Sequence, residues 1–143
     1  MGRLSPLPKI TFVRDDSGVI KRGGRDVEAR DSGRPHVRRF GQVVRVRPDQ
    51  VEAYERLHAD PWPGVVEAIE SANIRNYSIY RHGELLFAYF EYVGEDFTAD
   101  MAAMAADPVI QEWWARTDAM QEPLPERAPG DWWLTIPEIF HTD

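Results

Sequence analysis

Two stretches of strand-like sequence, Ile74–Arg81 and Leu85–Val93, meet at a short turn at His82-Gly83. That pattern is the signature of a β-hairpin. A helical pattern lies on each side of it, and this leaves few possible arrangements. Upstream, Asp49 follows Pro48 and begins a helical stretch with Val51, Tyr54, Leu57 and His58 on or near one face. Pro61 and Pro63 interrupt that helix, because proline lacks the donor that a helix interior needs. Val65, Val66 and Ile69 resume it to about Ala72. Downstream, Phe97, Met101 and Met104 share a helical face. Asp107-Pro108 reads as a cap followed by proline at the first helical position, and Val109–Met120 continues the second helical region. At the outer ends, Phe40–Arg47 alternates and is rich in valine, which predicts a strand. Leu134–Phe140 predicts a last short strand, and Pro137 places it at an edge. The order is β-α-β-β-α-β, the split βαβ or ferredoxin-like pattern of an α+β domain. Helices on one face of an antiparallel sheet leave the other face bare. That face is apolar by its Val, Phe and Tyr content, and a second copy of the chain is the simplest cover. A homodimer with sheets packed face to face is expected.

Composition changes near Arg39. Of sixteen aromatic residues only Phe12 precedes it, and Gly, Pro, Asp and Arg dominate residues 14–39. Such a mix buries little apolar surface. Residues 1–38 therefore read as a partly flexible N-terminal extension, and residues 39–143 as the main domain. Within the extension, Lys9–Arg14 and Val19–Lys21 flank an Asp-Asp-Ser-Gly turn that allows a small hairpin. Residues 1–39 carry net charge +5 and residues 40–143 carry −12. An acidic body repels phosphates, so nucleic acid is excluded as a partner, while a neutral small molecule is not. The basic extension is either a solvated tail or an arm that docks on a partner. Cysteine is absent, which excludes disulfides, thiolate chemistry and Cys-based metal sites and fits a cytoplasmic protein. No apolar run long enough to span a membrane exists, and the N-terminus lacks the apolar core of a secretory signal.

Few residues offer chemistry. Tyr54 and His58 are spaced i, i+4 and project from one helical face. Histidine both gives and takes protons near neutral pH, and a tyrosine one turn earlier can position it or bind a substrate hydroxyl. An exposed or purely structural histidine is the plainer alternative. Tyr77 lies on the second strand, where alternation turns Asn76 and Tyr77 to opposite sides. Sheet packing is the alternative for this tyrosine. Trp113 and Trp114 are adjacent on a helix, about 100° apart, so one can enter the core while the other flanks a pocket. An indole face stacks well on the apolar face of a sugar ring, although both rings could simply fill the core. Trp132-Trp133 sits in a Pro-rich loop and is expected to pack on the end of the barrel or on a partner, outside the site. His36, His82 and His141 lie in the extension, in a turn and near the chain end. No metal-binding spacing and no phosphate-cradling glycine loop is present, so neither metal nor cofactor is expected.

Together, Tyr54…His58, Asp60-Pro61-Trp62-Pro63, Asn76-Tyr77-Ser78-Ile79-Tyr80, Leu86-Phe87-Ala88 and Trp113-Trp114 resemble the L-rhamnose mutarotase family. The resemblance runs from about Arg39 to Met120, with a looser match at Glu138-Ile139-Phe140. It implies a cofactor-free dimeric α+β barrel that interconverts the α and β anomers of L-rhamnose or a related 6-deoxy sugar. It places the proton donor at His58 and substrate-binding positions at Tyr54, Tyr77, Trp113 and Trp114. Residues 1–38 and the loop before Trp132 have no counterpart in the short members of the family. Fold alone also admits a cofactor-free monooxygenase or a haem-handling enzyme of the same barrel type, or a non-catalytic sugar-binding module.

Overall fold

The structure, a computed structural model, describes residues 36–143. The hairpin expected within residues 9–21 lies outside the described residues. Strand β1 (Arg38–Val46) leads through a 3-10 turn at Pro48–Gln50 into helix α1 (Val51–Ala59). The prolines of Asp60-Pro61-Trp62-Pro63 end α1 and start α2 (Pro63–Ser71), with Pro63 in the first turn. Strands β2 (Ile74–His82) and β3 (Leu85–Tyr92) form the expected hairpin. Gly83 takes φ 57° in its turn, a conformation that glycine reaches without a steric penalty. Helix α3 (Phe97–Ala106) is capped by Asp96, whose side chain accepts from the Ala99 N–H. Helix α4 (Pro108–Met120) is capped in the same way by Asp107, accepting from the Val109 N–H, with Pro108 following. Two short strands finish the chain, β4 (Gln121–Glu122) and β5 (Leu134–Ile136).

All pairings are antiparallel and the sheet runs β2-β3-β1-β4, with β5 also on β1. This is the split βαβ order. The closing strand expected over Leu134–Phe140 differs in detail. The edge of β1 is filled by two pieces, β4 opposite Arg45–Val46 and β5 opposite Gly41–Val43. Pro137 stops β5 after three residues, because proline cannot donate to the ladder.

One face of the sheet carries Phe40, Val44, Val46, Leu86, Phe90 and Tyr92, all buried. Against it pack Tyr54, Val65, Ala68, Met101, Met104, Ile110 and Trp113 from the helices. On the other face Val43, Phe87 and Tyr80 line up in register. Tyr80 is 66% exposed, and Phe87 and Ile136 are also exposed. Among the described residues no helix is long and apolar enough to cross a membrane.

Alternation breaks once, and the break matters. The β2–β3 register shifts between Arg75 and Ser78. Ile74 points into the core, so strict alternation would turn Tyr77 outward. An extra residue, Asn76 with φ 50°, bulges the strand and returns Tyr77 to the helix side with Ile79. There the Tyr77 ring meets Phe90 edge-on at 5.6 Å. Glu91 holds the bulge, accepting from Asn76 Nδ2 at 2.7 Å and from the Tyr89 hydroxyl at 2.9 Å.

Candidate active site

Helix α1 sets the first element of the site. His58 stands one turn after Tyr54, and the rings stack at 4.1 Å. The edge of Trp113, from α4, closes on His58 at 5.2 Å, and Trp62 packs on Trp113 at 5.1 Å. Arg116 covers Trp62 at 5.3 Å, a cation–π contact at the outer end of this row.

His58 Nδ1 lies 2.8 Å from the Tyr54 carbonyl oxygen. A carbonyl only accepts, so Nδ1 carries the hydrogen. In the neutral ring the lone pair then sits on Nε2, and among the described residues nothing hydrogen-bonds that nitrogen. Burial lowers the His58 pKa below its usual 6.5, with the Tyr54 carbonyl opposing the shift in part. His58 is a neutral imidazole at neutral pH, with its basic nitrogen free.

His58, Tyr77 and Trp113 line one cleft of about 470 Å³, together with Ile69, Asn76 and Ile79. That volume lies within the ~300–1,000 Å³ usual for small-molecule sites. Tyr77 is 42% exposed as a residue, yet its hydroxyl end is enclosed, and burial raises its pKa to about 12. It therefore keeps its proton and can donate. Behind the cleft, Tyr77 and Trp113 also line an inner cavity of about 80 Å³ that Trp114 shares.

Of the five expected site residues, the cleft brings three together. Trp114 lines only the inner cavity. Tyr54 is 3% exposed and lines neither space; its ring stacks on His58 and its hydroxyl accepts from Gln121, which borders the inner cavity. Asn76 and Tyr77, expected on opposite sides of the strand, border the same cleft because of the bulge. Trp132 and Trp133, expected outside the site, pack on the cluster of Val44, Val46, Tyr54 and Leu86 and line the inner cavity with Gln42, Thr117 and Gln121. Only the closure of the last loop onto β1 brings them there, and no local pattern announces it. The tryptophan pair itself was the available signal. Among the described residues no group of three His, Asp or Glu side chains is placed to hold a metal ion.

The profile of the L-rhamnose mutarotase family matches residues 39–142. The chain belongs to that family. An L-rhamnose mutarotase of Ligilactobacillus salivarius is 34% identical over 110 residues, covering 73% of this chain and 97% of that protein. An L-fucose mutarotase of Xanthomonas campestris is 38% identical over 94 residues, covering 63% of this chain and 74% of the other. The crystal structure of an L-rhamnose mutarotase from Formosa agariphila superposes with a TM-score of 0.57 at 20% identity. It covers 74% of this chain and 99% of its own, and supports the fold. The enzyme class of this family member is that of the sugar mutarotases, which are carbohydrate isomerases.

The depressed His58 pKa has a consequence for stability. Above the unfolded value of 6.5, His58 is neutral in both states and contributes no pH dependence. As pH falls through 6.5, the unfolded chain binds a proton that folded His58 resists, so stability is lost until the lower folded pKa is reached. In urea titrations across that window, His58→Gln is expected to flatten the loss relative to the parent protein. An unchanged slope would mean that burial does not hold His58 neutral.

Proposed function

We propose that the protein interconverts the α and β anomers of L-rhamnose, or of a closely related 6-deoxy sugar, with His58 as its acid/base group and no cofactor. The observation that carries this reading is His58 on the cleft wall with Nδ1–H tied to the Tyr54 carbonyl, which leaves Nε2, unpaired among the described residues, as the basic nitrogen.

Ring opening removes a proton from the anomeric hydroxyl, breaks the bond from C1 to the ring oxygen and protonates that oxygen. Both oxygens are bonded to C1, so one nitrogen reaches both. Neutral His58 takes the hydroxyl proton through Nε2, and the imidazolium passes it to the ring oxygen. Rotation about C1–C2 and the reverse transfers close the ring on the other face. Atoms and charge balance without a metal or a redox partner. Tyr77 donates to a sugar hydroxyl, and the indole of Trp113 holds the apolar face of the ring and its methyl group, with Trp114 behind it on the inner cavity. The relatives named for L-rhamnose and L-fucose fit a 6-deoxy sugar.

The protein acts as a homodimer in this reading. Phe87, Tyr80 and Ile136 leave an apolar sheet face open in the single chain, and a second copy covers it. The cytoplasm is its compartment, which suits a chain without cysteine, and cell fractionation that found it elsewhere would remove that assignment.

Saturation-transfer NMR between the two anomeric protons of equilibrated L-rhamnose tests the activity. The parent protein is expected to accelerate exchange, and His58→Ala to lose about 10²–10⁴-fold of it with unchanged circular dichroism. Full activity in His58→Ala would refute the acid/base assignment. Binding without acceleration would turn the reading to a sugar-binding module. For the dimer, Phe87→Asp is expected to give monomers in sedimentation velocity, and a monomeric parent protein would contradict the reading.

A further inference from the structure

Gln121 is 3% exposed and sits where α4 passes into β4. Its backbone pairs with Val46 of the central strand, which fixes the start of its side chain. Its carboxamide bridges two groups. The Trp132 indole Nε1–H donates to Gln121 Oε1 at 2.8 Å, and Gln121 Nε2 donates to the Tyr54 hydroxyl at 3.2 Å. An indole nitrogen can only donate, so the oxygen of the amide must face Trp132 and its NH₂ must face Tyr54. Trp132 therefore sets the orientation of Gln121, and Gln121 sets the role of Tyr54. The Tyr54 oxygen accepts from Gln121, and among the described residues nothing accepts its own hydrogen.

We infer that Trp132 and Gln121 are positioning residues that keep the Tyr54 hydroxyl a hydrogen-bond donor toward the bound sugar. This rests on the mutarotase reading above. Burial raises the Tyr54 pKa well above its usual 10.0, so the hydrogen stays on the oxygen at neutral pH. Gln121 and Trp132 border the inner cavity with Tyr77, which places the bridge at the rear wall of the site. An amide free to flip would turn Oε1 to Tyr54, take its hydrogen and leave only lone pairs for the sugar.

Gln121→Glu tests this directly. The side chain keeps its size, but an ionised carboxylate only accepts and captures the Tyr54 hydrogen. A protonated carboxyl can again accept from Trp132 and donate to Tyr54. Exchange of L-rhamnose anomers is measured for the variant and its parent from about pH 8 to about pH 5, the span in which an unperturbed histidine changes charge. The other titratable groups bordering the cavity are Tyr77 of β2 and Asp118 of α4, with His58 beyond Tyr54. Both proteins share them, so the ratio of variant to parent rate isolates the new carboxyl. The expected result is a loss of about tenfold in kcat at the alkaline end, roughly one hydrogen bond, with a smaller change in KM. The ratio is expected to climb toward one on acidification. Trp132→Phe keeps an aromatic ring without the N–H. It is expected to lower kcat several-fold with a ratio that does not vary with pH, and it decides the matter if Gln121→Glu does not fold. An active parent with both variants within about twofold of it, or a pH-independent ratio for Gln121→Glu, overturns the inference. A parent that does not accelerate exchange overturns the mutarotase reading, and this inference with it.

Discussion

The bond from His58 Nδ1–H to the Tyr54 carbonyl, at 2.8 Å, is the interaction on which the site depends. It comes directly from helix geometry, since residues four apart share a face. It decides which nitrogen is left for chemistry. The stacked Tyr54 ring and the edge of Trp113 then hold the imidazole against rotation. The same aromatic walls remove water from around it, and that keeps it neutral. Geometry, tautomer and basicity thus share one cause, the packing of α1 against α4.

Much of the fold was legible in sequence because its signals were local. The Val-rich alternation of β1, the turn at Gly83, the Asp107-Pro108 cap and the paired prolines at 61 and 63 each act within a few residues, and each stands where expected. Three features were not legible. The bulge at Asn76 is one inserted residue, and only the tolerance of asparagine for positive φ hinted at it. The split of the last strand into β4 and β5 depends on where a loop closes. The burial of Tyr54 depends on Gln121 and Trp132, which are 67 and 78 positions away. Non-local closure leaves no periodicity to read.

The site reflects the same division. His58 and Trp113 were visible as residue types on helical faces. Tyr77 was visible as a residue, but the bulge that aims it into the cleft was not. Tyr54 was visible as the residue one helical turn before His58, but its burial and the bond from Gln121 to its hydroxyl were not. Trp132 and Trp133 were set aside because a Pro-rich loop offers no local reason to point inward, yet they form part of the rear wall. Side chains delivered by regular elements could be placed from sequence, and those delivered by a loop could not.

The central claim is that His58 waits as a neutral base with Nε2 toward the cleft. Long-range ¹⁵N–¹H correlation NMR of the labelled protein reads this state directly, because the two ring nitrogens differ in shift with protonation and tautomer. The account predicts a neutral His58 protonated on Nδ1 and bare on Nε2 near neutral pH. A hydrogen on Nε2, or a doubly protonated ring at that pH, would contradict it.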